Sequence, residues 1–159
     1  MPVTILARVD QAGGWVEART DAGHALVMIG DGTVGERDGF TPKQALLASL
    51  AGCTSMDVVS ILRKKRQPPD SYEVRVTGES GTEHPRVFIS IEVEHRVSGA
   101  VTPEALRRSI ELSATSYCPV SAMLSASTTI EHRYRLTGAD GAPTEALVAV
   151  TGPTGSRVL

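Results

Sequence analysis

The sequence predicts an α+β domain with antiparallel sheets around one long central helix, and three observations carry that prediction. The first third is a series of short β-leaning runs broken by turn residues. The segment after Thr41-Pro42 is apolar or small on every face for several helical turns, and beyond Pro68-Pro69 the chain returns to period-two alternation. With 159 residues and a hydrophobic share of 41%, one compact unit with a real core is expected.

Val3 to Val9, Trp15 to Thr20 and His24 to Ile29 read as strands of a meander, separated by Gln11-Ala12-Gly13-Gly14 and Asp21-Ala22-Gly23. The loop from Gly30 to Gly39 carries four glycines whose unequal spacing matches neither a phosphate-binding loop nor a dinucleotide fingerprint. It reads as a connector. Thr41-Pro42 is a helix start, with a side-chain oxygen to cap free amides and a proline where its missing N–H costs nothing. The helix is expected to run to about Arg66, ahead of Pro68-Pro69. About 25 residues make a rod of roughly 37 Å, and Ala45 to Cys53, apolar or small all round, calls for protein on every side.

Tyr72 to Thr77 and Arg86 to Val97 are the next strands; Val87, Ile89, Ile91 and Val93 alternate with charged and polar residues, so one face of the sheet is wet. Thr102-Pro103-Glu104 opens a helix from Ala105 to about Ala114, and Pro119 opens a short one through Met123 and Leu124. Thr128 to Leu136 is a last strand with Ile130, His132, Tyr134 and Leu136 on one face. Residues 138–159 are expected as a loosely held tail, or one in which Ala146 to Val150 adds an edge strand.

Composition sets aside several function classes. The balance of 16 Lys+Arg against 18 Asp+Glu gives a net charge of -2, which draws the protein towards neither nucleic acid nor anionic lipid. Arg63-Lys64-Lys65-Arg66 reads as a solvated helix end complementing the dipole. No secretory leader or membrane-length apolar run is evident, so a cytoplasmic location is expected. His24, His84, His95 and His132 lack the paired spacing of metal ligands, so no metal is expected, and no Gly-x-Ser-x-Gly places a hydrolase nucleophile.

The chemistry that remains belongs to Cys53 and Cys118, the only two cysteines; in a reducing compartment such a pair is either two unrelated buried thiols or a redox site. Burial in the helix raises the pKa of Cys53 unless a cation stands near. Cys118, just ahead of Pro119, sits where a helix N-terminus favours thiolate, so local electrostatics make Cys118 the more acidic thiol.

Thr41-Pro42-Lys43-Gln44-Ala45-Leu46-Leu47-Ala48-Ser49-Leu50-Ala51-Gly52-Cys53-Thr54-Ser55-Met56-Asp57-Val58-Val59 resembles the central-helix motif of the OsmC/Ohr family, and Ser116-Tyr117-Cys118-Pro119-Val120-Ser121 resembles its second cysteine motif. Order, spacing and flanking strands agree over residues 1–137, which the resemblance makes an OsmC-like domain, with 138–159 unmatched. The resemblance implies an OsmC-like fold in an intertwined homodimer, with the long helices at the centre and two active sites at the interface.

It also implies a function, the thiol-dependent reduction of organic hydroperoxides. Cys53 attacks the peroxide and becomes a sulfenic acid, Cys118 condenses with it to a disulfide, and a dithiol reductant restores the pair, with no cofactor. Family peroxidases also use an arginine beside the thiolate and a glutamate that holds it. Arg37 is the candidate arginine. The glutamate positions, ten and nine residues before Cys53, hold Lys43 and Gln44; Glu36 or Asp38 would supply the carboxylate only if the loop folds inward. That departure motivates the alternative, a redox-sensing or ligand-binding protein of the same fold with weak or no peroxidase activity. The resemblance makes Cys53 react first, against the ranking from local electrostatics.

Overall fold

The structure, a computed structural model, describes residues 2–10, 12, 14–30, 38–138 and 141–159. It divides into two compact units, Met1–Leu46 and Leu47–Leu159. The first contains the meander: β1 (Ile5–Val9), β2 (Trp15–Thr20) and β3 (Ala25–Ile29) pair antiparallel in sequence order. Gly23, at φ 86°, makes the tight turn between β2 and β3 and donates its N–H to the Thr20 carbonyl at 2.9 Å. Every residue of β1 is exposed.

Helix α1 (Pro42–Lys64) begins with a reciprocal cap. The Gln44 N–H donates to Thr41 Oγ1 at 3.2 Å, and the Thr41 N–H donates to Gln44 Oε1 at 2.8 Å. The helix ends just short of Arg66. There Arg66 takes φ 60°, its N–H reaches the Arg63 carbonyl at 2.9 Å, and the Gln67 N–H reaches Leu62 at 3.0 Å, a Schellman closure with arginine in the left-handed position. By length and composition alone this helix could also cross a bilayer, more apolar than the sequence reading allows.

In the second unit, β4 (Ser71–Ser80), β5 (Phe88–Ser98), β6 (Thr129–Thr137), β7 (Pro143–Gly152) and β8 (Gly155–Val158) form one sheet in that order. All neighbours are antiparallel, as the sequence predicts, except β5 and β6, which pair parallel. The reason is the crossover: α2 (Pro103–Leu112), a π-helical turn (Ser113–Tyr117) and α3 (Pro119–Ser125) return the chain to the same end of the sheet. The segment expected as a loose tail or edge strand is instead a hairpin. β7 is an interior strand with Val148, Ala149 and Thr151 buried, and β8 forms the edge. Pairing with β6 holds a composition that by itself favours looseness.

Two hydrophobic clusters fill this unit. One joins Val58 and Leu62 to Val97, Leu106, Ile110, Tyr134, Leu136 and Val148, and the other joins Leu50 to Ile91, Val93, Cys118 and Ile130. Three elements pass from one cluster to the other, and each does so at a buried polar residue: Thr54 in α1, His95 in β5 and His132 in β6. The sheet's other face is wet, with ion pairs such as Arg133–Glu92 and Arg96–Glu94. Val87 and Ile89, read as part of the inward face of β5, are 60% and 61% exposed; inward alternation starts at Ile91. In α1 only the i, i+4 stripe Leu50, Thr54, Val58 and Leu62 is buried, where burial on every side was expected.

Candidate functional site

α1 sets Cys53 and Asp57 one turn apart, hence on one face of the helix, beside the buried stripe that includes Thr54. From the other side the chain arrives through the π-helical turn. Its extra residue per turn closes with the Cys118 N–H donating to the Ser113 carbonyl at 3.0 Å, which fixes Ser113 and Cys118 together. Cys118 then caps α3, and its sulfur accepts the Ser121 N–H at 3.3 Å.

These elements bring Cys118 Sγ to 2.6 Å from Cys53 Sγ. Both cysteines are free, and their sulfurs face each other. Cys118 is 3% exposed and Cys53 is half-buried. Burial, and then the hydrogen bond with Cys53, push the Cys118 thiol up to about 12; the amides of Ser121 and Val120 pull the other way and lose. The expectation that a helix N-terminus favours thiolate at Cys118 is thereby overturned. α3 is only seven residues long, and the sulfur it caps lies in an apolar cluster.

A carboxylate that sequence reasoning missed stands beside the thiols. One sulfur or carboxylate oxygen each of Cys53, Asp57 and Cys118 lies within 4.8 Å of the other two. The Ser113 hydroxyl donates to Asp57 Oδ2 at 3.0 Å. That uses its one proton, so the Thr54 hydroxyl, 3.1 Å away, is the donor to Ser113. No arginine or lysine forms an ion pair with Asp57 among the described residues. Arg37 and Glu36, the sequence candidates for thiolate activation, lie outside the described residues, and Asp38 is exposed. The i, i+4 step from Cys53 is the one signal that could have found Asp57.

On its open side Asp57 lines a groove of about 460 Å³ with Ser60, Ile61, Lys64, Leu112 and Tyr117. Asp57 also adds to the burial that raises the Tyr72 phenol far above its ordinary value. Tyr72 therefore keeps its proton and donates it to His95 Nδ1 at 2.5 Å, while the His95 ring stacks on that of His132 with centroids 6.5 Å apart. His95 Nε2 and both ring nitrogens of His132 are buried without a hydrogen-bond partner. Burial, helped by the neighbouring ring, lowers His95 to about 3, and burial alone lowers His132 to about 4. Both are neutral core residues; alternation puts His132 on the face of Ile130, Tyr134 and Leu136, and the structure adds its stacking on His95.

With this geometry in view, similarity to known proteins is informative. Residues 35–133 match the family model described as OsmC-like protein. Protein YhfA of Escherichia coli is 37% identical over 131 residues, covering 79% of this chain and 96% of that protein. A hypothetical protein from Aquifex aeolicus superposes with a TM-score of 0.76 at 25% identity, over 87% of this chain and 98% of that one. The organic hydroperoxide resistance protein OhrB of Bacillus subtilis shares the fold, with a TM-score of 0.60 at 17% identity over 84% of this chain and 98% of that one.

Proposed function

This chain belongs to the OsmC-like protein family, and from that premise we propose that it is a thiol-dependent peroxidase reducing organic hydroperoxides through Cys53 and Cys118. The observation that carries the reading is the 2.6 Å approach of two sulfurs 65 residues apart in sequence. The Cys53 thiolate attacks the outer oxygen of the hydroperoxide, the O–O bond breaks, and the alcohol leaves. Cys118 then condenses with the sulfenic acid, water leaves, and a dithiol reductant reopens the disulfide. Burial of Cys118 fits this order, because a thiol held protonated serves as the second nucleophile rather than the first. The groove beside Asp57, walled by Ile61, Leu112 and Tyr117, suits an organic substituent better than hydrogen peroxide.

The reading extends to a cytoplasmic homodimer with its sites at the interface. Support comes from α1, whose apolar flanks lie outside its buried stripe; Met56 is 72% exposed. A second reading, a redox sensor or binding protein of weak peroxidase activity, draws on Gln44. At a position where the resemblance puts a glutamate, Gln44 closes a helix cap. Reduced protein mixed with excess cumene hydroperoxide decides between them. The peroxidase reading expects two thiols lost per chain, far faster than a free small-molecule thiol reacts; a rate no faster favours the sensor, and retention of both thiols ends the peroxidase reading.

A further inference from the structure

We propose that Asp57 is the proton acceptor for Cys118, taking the thiol proton as that sulfur attacks whatever leaving group Cys53 carries. The inference deepens the peroxidase reading and rests on it for the identity of the natural leaving group, hydroxide from a sulfenic acid. Its ground is geometric. The Asp57 carboxylate lies within 4.8 Å of both sulfurs, a separation that one water molecule or a small side-chain rotation bridges. It is held there by the chain of Thr54 and Ser113 hydroxyls, which occupies one lone pair of Oδ2 and leaves the carboxylate other lone pairs free to accept.

The need for an acceptor follows from burial. With the Cys118 thiol pushed up to about 12, roughly one molecule in 10⁵ carries the thiolate at neutral pH, and the thiolate is the nucleophile. Among the described residues, the groups that face Asp57 supply no rival acceptor. Cys53 is the reacting partner, Tyr72 is a phenol that keeps its own proton, Ser113 and Thr54 are hydroxyls already directed along the chain, and Lys64, on the open groove, is a cation. The step balances without a further reagent. The Cys118 S–H bond breaks and its proton passes to Asp57; the sulfur's electron pair forms the bond to Cys53 Sγ; the S–O bond breaks, and hydroxide leaves with the proton from Asp57 as water. Sulfenic acid and thiol become disulfide and water, and the carboxylate is regenerated.

A carboxylate beside two thiols has a competing role as a fixed negative charge that merely disfavours thiolates, and removing it has the opposite sign. Dithiobis(nitrobenzoate) separates the two roles without peroxide. Its first nitrothiolate is released as Cys53 is modified, and its second as Cys118 displaces the aryl thiolate from Cys53. In Asp57→Asn, an isosteric change that keeps an oxygen for Ser113, the first release is expected to be no slower, and the second about 10² to 10³-fold slower at neutral pH. The variant's second step should then rise about tenfold per pH unit in alkali, as Cys118 ionises unaided, a slope wild type lacks. Asp57→Glu should recover part of the rate. A second release in Asp57→Asn as fast as wild type, or faster, overturns the assignment. A slowed second release in a protein inert to cumene hydroperoxide supports Asp57 while removing the peroxidase reading, so the two fail separately.

Discussion

Two groups of buried polar side chains occur in the same unit, and they differ in one respect that decides what each can do. Around the thiols the carboxylate is tied into a chain: Thr54 donates to Ser113, Ser113 to Asp57, and the sulfurs adjoin it, with the Ser121 hydroxyl alone left buried without a partner among the described side chains there. Around the histidines only His95 Nδ1 is satisfied, by Tyr72, and three ring nitrogens have none. A partnered cluster can hold charge and move protons at neutral pH. An orphaned one can only stay neutral, and the burial that keeps it neutral makes it a liability in acid.

The largest consequence is acid instability. His95 and His132 titrate in the fold at about 3 and 4, below the ordinary 6.5, so below about pH 6.5 the unfolded chain binds protons that the folded chain does not. Stability is full above about pH 6.5 and is lost as pH falls towards the folded values, at up to about 2.7 kcal/mol per pH unit while both rings take up a proton on unfolding. Denaturant melts from pH 7.5 to 4.5 measure the slope; a flat profile would show that the rings are not buried neutral. Next in size is the thiol cluster. Ser113→Ala takes the donor from Asp57 and the acceptor from Thr54, and should cost about 1–2 kcal/mol at neutral pH in the same melts. No loss would mean the chain of hydroxyls is not formed. The smallest effect is expected for His132→Leu, which removes two orphaned nitrogens and strands no partner. It should leave stability at pH 7.5 within about 1 kcal/mol while halving the acid slope.

Much of the fold was legible because it depends on neighbours along the chain. Thr41-Pro42 announced α1, Thr102-Pro103 announced α2, and alternation from Ile130 to Leu136 gave β6 its inward face. What escaped depends on residues far apart. Period two does not distinguish a parallel neighbour from an antiparallel one, so the β5–β6 pairing was hidden, and composition made residues 138–159 look loose although β6 pairs with β7 and β7 with β8. The site was legible in its two cysteines and in nothing else. No propensity marks a π-helical turn at Ser113, and Asp57 gains meaning only when Cys118 is brought against Cys53. The helix-end argument for Cys118 failed because it weighed a local field without the burial that opposes it.

The order of reaction at the two sulfurs is the centre of the account, and intact-protein mass spectrometry after one equivalent of cumene hydroperoxide tests it directly. Cys118→Ser should gain one oxygen at Cys53 within the time wild type takes to oxidise, then over-oxidise because no second thiol condenses with it, while Cys53→Ser should stay unmodified. An oxygen on Cys118 in Cys53→Ser, appearing as fast as wild type oxidises, would contradict the account and give the first attack to the buried thiol.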